Sequence, residues 1–358
     1  MSIANTIKTS TPGRICLFGE HQDYLGLPVI AMAINKRLSV TGSFRADKKI
    51  VVTMPDLGEE ASFDLEDLAY TNKRDYFKSG VRVLKDMGII LPNGLDASIK
   101  SDIPIQSGTS SSTAMVVGWI HLLLQLAGAD AHASGKEIAA LAHRAEVMEF
   151  NEPGGMMDHY STSLGGLIYL ESEPAITVTA MDCKLGTFVL GDSGEKKSTL
   201  DILQRCKKGR LKIMDKIMRH QPSFSLQESP LESIDPYHSF LDLQEMALLE
   251  GTLKNRDLLQ LGLEELSFPS PDLDKIGQLL TNHHGVLRDT LGVSTPKIER
   301  MLSAALDAGA MGGKINGTGG GGCMFALSPE NPEAIASAIE QQGGAAHIIE
   351  MDGGTAYE

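Results

Sequence analysis

The sequence predicts a two-domain α+β protein, and three observations point to that class. The chain has 358 residues, which suits two domains of roughly 100–200 residues each. Strand-like and helix-like patterns are mixed in both halves of the chain. Near residue 176 the short elements give way to long helical patterns, so we assign residues 1–178 to one domain and residues 179–358 to the other.

Composition and charge exclude several classes of protein. Hydrophobic residues make up 42% of the chain and charged residues 22%, which is typical of a globular protein rather than a disordered or fibrous one. Acidic residues outnumber basic ones by 46 to 32, and this balance argues against nucleic acid and anionic membrane surfaces as partners. The cysteines form no CxxC pair, and no apolar stretch is long enough to span a bilayer. We therefore expect a reduced, cytoplasmic protein.

Short apolar runs predict the strands of the first half, and apolar residues at helical spacing predict its helices. The expected strands are residues 15–18, 29–34, 49–54 and 167–170, and the expected helices are residues 75–87, 112–127 and 136–150. The helix at 112–127 is apolar on nearly every face, so we expect it to be buried. Ser110, Ser111 and Ser112 stand at its start, where helix-capping side chains belong.

Helical patterns dominate the second half of the chain. They cover residues 198–220, 236–266, 272–289, 296–308 and 332–341. A glycine-rich stretch at 312–322 is followed by a strand-like run at 323–327. The basic run at 205–210 is expected to form a solvated helix face.

Residues 12–26 concentrate polar, ligand-capable side chains in and beside a loop between two apolar strands. The segment contains Arg14, Glu20, His21, Asp23 and Tyr24. A polar surface hairpin has a similar composition, but loops held by a rigid scaffold carry function disproportionately. This loop is therefore a candidate binding site.

A second segment, at residues 104–113, places small residues directly before the buried helix. It reads PIQSGTSSST. Successive backbone N–H groups at a helix N-terminus form an anion site, so one interpretation is phosphate binding. The alternative is a helix cap with more capping residues than it needs.

A third segment, at residues 317–322, formally matches the G-x-G-x-x-G fingerprint of dinucleotide-binding proteins. That fingerprint needs a strand before it and a helix after it, whereas a strand-like run follows here. A nicotinamide-dependent oxidoreductase is therefore disfavoured. We interpret the segment as a glycine loop whose backbone packs closely against a ligand or another loop.

Together and in this order, the three segments resemble the three motifs of the GHMP kinases. The family is named after galactokinase, homoserine kinase, mevalonate kinase and phosphomevalonate kinase. The motifs here read GRICLFGEHQDYLG, PIQSGTSSST and GGKINGTGGGGC, and the resemblance covers nearly the whole chain. The first motif is most similar to the galactokinase form, as is the segment PGGMMD at 153–158.

The resemblance implies a fold and a reaction. The N-terminal domain is expected to resemble the second domain of ribosomal protein S5. The C-terminal domain is expected to be ferredoxin-like with added helices, and the active site to lie between the two domains. The implied activity is transfer of the γ-phosphoryl group of ATP, with Mg²⁺, to a sugar hydroxyl, such as the anomeric C1 hydroxyl of galactose or a related sugar.

The resemblance also implies residue roles. Asp158 matches the proposed general base, and Arg14 matches the arginine beside it. Ser112 and Glu146 match the Mg²⁺ ligands. The matched substrate-binding positions are Glu20, His21, Asp23 and Gly155. The matched positions that contact or support the ATP phosphates are Gly108, Thr109, Ser110, Ser111, Ser112, Gly319 and Gly320.

Departures from the galactokinase pattern leave the acceptor open. They occur at Gln22, Leu25, Gln106, Thr109 and Thr113, and in residues 191–199. Galactose, a uronic acid, an amino sugar, arabinose and a heptose are all candidates. A mevalonate-type kinase and a non-catalytic sugar and ATP sensor are the alternatives, while Glu20, His21 and Asp23 favour a polyol. The sequence does not indicate the oligomeric state.

Overall fold

The computed structural model describes residues 6–104, 108–129, 132–196 and 199–358. Two of the departures from the galactokinase pattern lie outside the described residues. They are Gln106 and residues 197–198 of the 191–199 segment. The α+β class is confirmed, because the chain forms two separate sheets with helices packed on them. In the described part of the chain, no helix is both long and apolar enough to cross a bilayer.

The first sheet is built mainly from the N-terminal half of the chain. Its strands are β1 (Ile7–Phe18), β2 (Val29–Phe44), β3 (Lys49–Met54), β4 (Glu59–Asp64), β5 (Leu95–Ser101), β6 (Leu167–Glu171) and β7 (Thr177–Met181). The order along the sheet is β1-β2-β5-β3-β4, while β6 pairs with the start of β2 and β7 pairs with β6. The β1–β2 register shifts at Pro12, a residue that has no N–H to donate to the ladder.

Helices cover this sheet and carry several of the predicted site residues. They are α1 (Tyr76–Asp86), α2 (Ser111–Leu126), α3 (Gly135–His143) and α4 (Met157–Leu164). The α3 helix continues as a π-helical turn, Arg144–Met148. The α2 helix packs on β1 and β2 and has buried residues on nearly every face, so the expectation of a buried helix at this position is confirmed.

The second sheet has the connectivity expected for a ferredoxin-like domain. Its strands are β8 (Phe188–Asp192), β9 (Gly312–Ile315), β10 (Cys323–Leu327) and β11 (Ala345–Ile349), in the order β11-β8-β10-β9. Its helices are α5 (Thr199–His220), α6 (Leu243–Leu266), α7 (Leu273–Asp289), α8 (Pro296–Asp307) and α9 (Pro332–Gln341). The path is a strand, a helical insertion, two antiparallel strands, a helix and a strand, as in the split βαβ motif.

One helix prediction needs correction, and one strand was not predicted. The helix expected at 236–266 is two elements, a 3₁₀ turn at Asp235–Ser239 and then α6. The break has a local cause, because the Asp242 side chain and Glu245 form a capping box that starts α6. The first residues of the glycine-rich stretch form β9, a strand that the sequence did not predict and that is held by its pairing with β10.

The domain boundary stays a prediction. Position 178 falls inside β7, which belongs to the first sheet. The chain changes sheets between Met181 and Phe188. Its last strand, β12 (Ala356–Tyr357), returns to pair with β1.

One hydrophobic core joins the two sheets. It contains Phe18 and Ile30 from the first sheet, Phe188 and Phe325 from the second, and Leu280 from α7. These side chains are fully buried. The shared core holds the loop after β1 and the loop after β9 against each other, and the candidate site forms at this junction.

Candidate active site

A cleft of about 680 Å³ lies where the predicted motifs meet. Its wall includes the loop after β1, the first turn of α2, the π-helical turn, the start of α4 and the loop after β9. The predicted site residues that line it are Arg14, Glu20, His21, Asp23, Ser111, Ser112, Glu146, Gly155 and Asp158. The structure therefore brings residues from distant parts of the sequence to one cavity.

Arg14 and Asp158 form a two-pronged ion pair at the floor of the cleft. Arg14 Nε lies 2.8 Å from Asp158 Oδ1, and Nη2 lies 2.7 Å from Oδ2. The Ser110 hydroxyl donates a third hydrogen bond to Oδ2 at 2.5 Å. Burial alone would raise the pKa of Asp158, but Arg14 and Ser110 outweigh it and hold that pKa below its usual value. Asp158 is therefore a carboxylate at neutral pH.

The predicted phosphate loop takes an unusual path into α2. Ser110 has a φ of +64°, in the left-handed region, and its side chain makes no helix-capping hydrogen bond. The expectation that Ser110 caps α2 is therefore wrong, because its hydroxyl is directed to Asp158 instead. Gly108 and Thr109 present carbonyl groups to Arg14, through its Nη1 and its backbone N–H respectively. Ser111 and Ser112 follow, and both line the cleft at the N-terminus of α2.

The glycine loop packs against this phosphate loop. Gly317 has a φ of +73°, and a Cβ at this position would lie 2.6 Å from the Gly108 carbonyl oxygen. The prediction of a glycine loop packed against another loop is confirmed at this position. Gly319 and Gly320 lie farther along, where the Gly320 N–H donates to the Val293 carbonyl at 2.6 Å. Neither of these two glycines lines the cleft.

Glu20 is tied to a lysine that sequence reasoning missed. Its carboxylate accepts hydrogen bonds from Lys314 Nζ and from the Gly317 N–H. Lys314 also donates to the Cys16 carbonyl at 2.8 Å, and its side chain is fully buried. Burial raises the pKa of Glu20 while Lys314 opposes that rise. The available signal was that Lys314 is the only charged residue between Asp307 and Glu330.

Both ring nitrogens of His21 have partners. Nε2 lies 3.1 Å from the Thr318 carbonyl oxygen, and Nδ1 lies 2.9 Å from the Tyr24 hydroxyl. Burial, together with the charge of Arg210, lowers the pKa of His21 to about 3, so the ring is neutral. Arg210 belongs to the basic run expected to be solvated, and for this residue the expectation is wrong, because only 1% of it is exposed.

Asp23 lies against the chain segment that precedes α4. Its Oδ1 accepts from the Tyr24 N–H at 2.9 Å, and its Oδ2 lies 3.4 Å from the Met157 N–H. A Cβ at Gly155 would fall 1.7 Å from Oδ2, so only glycine leaves room for this carboxylate. Burial and the nearby Asp158 charge raise the pKa of Asp23. Asp23 and Asp158 thus face the same end of the cleft.

The candidate Mg²⁺ ligands also lie on the cleft wall. Ser112 is exposed at the start of α2, and Glu146 lies on the π-helical turn. Glu146 Oε2 accepts a hydrogen bond from His159 Nε2 at 2.9 Å. No group of three acidic, histidine or cysteine side chains suited to a metal occurs in the described part of the chain. A hydroxyl and a carboxylate fit Mg²⁺, which takes its other ligands from phosphate and water.

The cations that line the cleft are already paired. Arg14 is held by Asp158, and Arg74 makes hydrogen bonds of 2.6 and 2.8 Å to the two carboxylate oxygens of Glu152. Among the described residues of the wall, these are the arginines, and no lysine accompanies them. The side chains of the wall therefore offer acidic and neutral groups to an acceptor.

The fold and cleft define a two-domain phosphotransferase of the GHMP type, and sequence comparison identifies the family. The model of the GHMP kinases N terminal domain matches residues 75–166, and the model of the GHMP kinases C terminal region matches residues 263–345. A galactokinase galactose-binding signature matches residues 4–44. The chain belongs to the GHMP kinase family, whose members are phosphotransferases that use ATP and act on alcohol groups.

Individual relatives carry different substrate names. The chain is 32% identical to a mevalonate kinase of Pyrococcus horikoshii, over 94% of this chain and 93% of the relative. It is 28% identical to a galactokinase of Pyrococcus furiosus, over 93% and 92%. The crystal structure of Lactococcus lactis galactokinase complexed with galactose has the same fold, with a TM-score of 0.85 at 22% identity over 98% of this chain and 95% of that one.

Proposed function

We propose that this protein transfers the γ-phosphoryl group of ATP to a hydroxyl of a neutral sugar, with galactose or a related sugar phosphorylated at its anomeric C1 hydroxyl. The observation that carries the proposal is the ionised Asp158, held by Arg14 and Ser110 at the end of the cleft that Asp23 also faces. The N-terminus of α2 opens into the same cleft and supplies N–H groups for phosphate.

The proposed reaction follows from this arrangement. Asp158 accepts the proton of the acceptor hydroxyl as its oxygen bonds to the γ-phosphorus and the bond to ADP breaks. Arg14 keeps Asp158 ionised and adds positive charge near the transferring group. Ser112 and Glu146 would hold Mg²⁺, which neutralises phosphate charge when bound. Asp23, next to Gly155, would accept hydrogen bonds from the other hydroxyls of the sugar.

The charge of the cleft favours a neutral acceptor. A substrate carboxylate would meet Asp23 and Asp158, while Arg14 and Arg74 already bind carboxylates of the protein. An unpaired carboxylate buried beside two others is unfavourable. This argument supports a sugar over a substrate acid, including a uronic acid.

Mevalonate is the second candidate, because several relatives of up to 32% identity are named mevalonate kinase. Its primary hydroxyl suits the same Asp158 chemistry. Its carboxylate would need a cation as a partner. The two arginines of the cleft wall already bind carboxylates of the protein, which argues against mevalonate as the acceptor.

The test is ADP release by the full-length protein with Mg-ATP across a panel of acceptors. The panel holds galactose, N-acetylgalactosamine, arabinose, galacturonate, glucuronate, mannoheptose and mevalonate. Asp158→Asn should lower kcat by roughly 10²–10⁴-fold, whereas Asp289→Asn, an exposed carboxylate outside the cleft, serves as the matched control.

Each outcome separates the candidates. Turnover with a neutral sugar that is lost in Asp158→Asn supports the proposal. Turnover with mevalonate alone, or with a uronic acid alone, overturns the proposal that the acceptor is neutral but supports the proposed kinase activity. Sugar-dependent thermal stabilisation without turnover identifies a sensor and overturns the kinase.

A further inference from the structure

We infer that Arg210 on α5 is a positioning residue that acts through Tyr24 to fix His21 in its neutral Nε2–H form. His21 then orders the loop after β1, residues 19–28, which we call the acceptor loop, without binding the acceptor. The inference deepens the proposed function and rests on it, because it concerns how the predicted acceptor loop is held. It reassigns His21, for which the family resemblance implied a sugar contact.

A chain of hydrogen bonds links α5 to the glycine loop. Arg210 Nη2 donates to the Tyr24 hydroxyl. The Tyr24 hydroxyl lies 2.9 Å from His21 Nδ1, and His21 Nε2 lies 3.1 Å from the Thr318 carbonyl oxygen. These hydrogen bonds therefore connect α5, the loop after β1 and the loop after β9.

The chemistry of each partner fixes the direction of every bond. A carbonyl oxygen only accepts, so His21 Nε2 carries the proton and donates to Thr318. In a neutral ring Nδ1 is then an acceptor, and the Tyr24 hydroxyl donates to it. That hydroxyl has its own oxygen free to accept from Arg210, which only donates. One tautomer of His21 satisfies all three bonds.

Hydrogen bonds to neutral oxygen atoms hold the Arg210 side chain in place. The guanidinium donates to neutral oxygens, the Tyr24 hydroxyl and, at 2.9 Å, the Cys206 carbonyl. The Cζ atom of Arg210 lies 5.3 Å from the centre of the Tyr24 ring, and Lys207 Nζ lies 5.6 Å from the same ring centre. Only 1% of Arg210 is exposed. Because burial of an unsatisfied guanidinium is costly, these contacts set the position of Arg210 and of Tyr24 together.

The backbone of the acceptor loop needs such support. His21 has a φ of +63°, a left-handed conformation that is unfavourable for a non-glycine residue. Hydrogen bonds at both ring nitrogens hold the side chain while the backbone stays in this region. The backbone N–H of Tyr24 also donates to Asp23, so the same tyrosine orients the carboxylate that faces the acceptor.

Three polar side chains of the acceptor loop therefore have different roles. His21 has no ring nitrogen left to bind an acceptor, and the Glu20 carboxylate is occupied by Lys314 and Gly317. Asp23 is then the carboxylate of this loop that contacts the acceptor. Arg210 positions Asp23 indirectly, by binding Tyr24.

The test reads the His21 ring directly in the full-length protein labelled with ¹⁵N-histidine. Long-range ¹H–¹⁵N correlation spectra distinguish a protonated from an unprotonated ring nitrogen, and His21→Gln assigns the signals. We expect protonated Nε2 and unprotonated Nδ1, unchanged when galactose is added. Arg210→Met and Tyr24→Phe should each give a mixture of tautomers. Lys207→Met, which removes the other cation beside the Tyr24 ring, is the matched control and should not.

Kinetics supply the second readout. With the acceptor found in the panel, Arg210→Met and Tyr24→Phe should raise the KM for that acceptor about tenfold and leave the KM for ATP unchanged. Tyr24→Phe retains the ring, so it tests the chain of bonds if Arg210→Met does not fold.

Three results would overturn the inference. They are a protonated Nδ1 in the unmodified protein, a tautomer that changes when galactose binds, and an unaltered His21 spectrum in both variants. Failure of the proposed function is distinct from these, because absence of turnover with every acceptor leaves the tautomer measurement fully interpretable.

Discussion

The carboxylates of Asp158 and Asp23 face one end of the cleft but have opposite environments. Arg14 and Ser110 hold the pKa of Asp158 below its usual value, while burial and the charge of Asp158 raise the pKa of Asp23. Paired groups whose pKa values are driven apart commonly have separate tasks. Here the ionised Asp158 suits proton acceptance, and Asp23 suits hydrogen bonding to an acceptor hydroxyl.

Gly155 offers a steric test of where Asp23 lies. Its φ is not in the left-handed region, so alanine is compatible with the backbone, but the new Cβ would fall 1.7 Å from Asp23 Oδ2. Gly155→Ala should therefore displace the Asp23 carboxylate and raise the KM for the acceptor about tenfold or more, with the KM for ATP unchanged. Steady-state kinetics with each substrate varied in turn measure both constants.

The neighbouring glycine is the control for this substitution. A Cβ at Gly154 would lie 3.5 Å from Val147, an ordinary contact, so Gly154→Ala should behave like the unmodified protein. Equal acceptor KM values for the two alanine variants would show that Asp23 does not contact the acceptor.

At the scale of elements, the π-helical turn and α4 meet through one hydrogen bond. Glu146 on the turn accepts from His159, which follows Asp158 in α4 and is 2% exposed. The ring of His143 lies edge-on at 5.1 Å from the His159 ring. His159 therefore holds the candidate Mg²⁺ ligand and stands next to the candidate base in the chain.

Removing this hydrogen bond should weaken Mg²⁺ binding. His159→Leu is expected to raise the Mg²⁺ concentration for half-maximal activity roughly tenfold, because hydrogen bonds that orient a ligating carboxylate are worth about 10–100-fold in affinity. His159→Gln keeps an N–H donor and should lose less. Mg²⁺-dependent thermal stabilisation in the presence of ADP gives the same comparison without turnover.

The control here is His143→Leu, which removes a neighbouring ring that makes no hydrogen bond to Glu146. It should leave the Mg²⁺ requirement nearly unchanged. If His159→Leu has the Mg²⁺ dependence of the unmodified protein, Glu146 is oriented by something else or is no metal ligand.

Element prediction worked where apolar periodicity was strong. The strands at 49–54 and 323–327 have the predicted bounds, and the helix around 112–127 differs by one residue at each end. The prediction failed for strands that are held by pairing with a neighbouring strand and not indicated by their own composition. Polar β4 lies at the sheet edge, and β9 begins with two glycines and is held by β10. Propensity says little about strands of this kind.

The site was predictable to the extent that its chemistry lies in contiguous motifs. Arg14, Asp158 and the serines before α2 could be found that way. Their tertiary partners could not, because Lys314 is 294 positions from Glu20 and Arg210 is 186 positions from Tyr24. A sequence reading of Ser110 as a cap also could not anticipate a hydroxyl bonded to Asp158 across 48 positions. Such pairings depend on the fold as a whole.

At the scale of the molecule, the chain begins and ends in the same sheet. After the ferredoxin-like half, residues 350–358 return to the first sheet, where β12 pairs with β1. Arg37 of β2 binds Asp352 at 2.7 Å and the Gly354 carbonyl at 2.8 Å. Together with the shared hydrophobic core, this return fixes one half of the molecule against the other, so the cleft between their loops has a defined shape.

The buried Glu20–Lys314 pair is the polar counterpart of that shared core. It joins the loop after β1 to β9, and both side chains are almost fully buried. Removing one partner of a buried pair leaves an uncompensated charge and costs about 3–5 kcal/mol. Lys314→Met should therefore lower the free energy of unfolding by about that amount in urea denaturation. The double variant Glu20→Gln/Lys314→Met, which buries no charge, should regain most of the loss.

The pH dependence of this loss identifies its cause. Burial already raises the pKa of Glu20, and without Lys314 to oppose it that pKa rises further. A raised folded-state pKa favours the protonated fold, so stability is retained at low pH and is lost as pH rises from the unfolded pKa of Glu20 to its folded pKa. The deficit of Lys314→Met should thus be small near pH 5 and large near pH 8, while the double variant shows no such trend. A deficit of equal size at both pH values would mean that lost packing, and not the unpaired carboxylate, destabilises the variant.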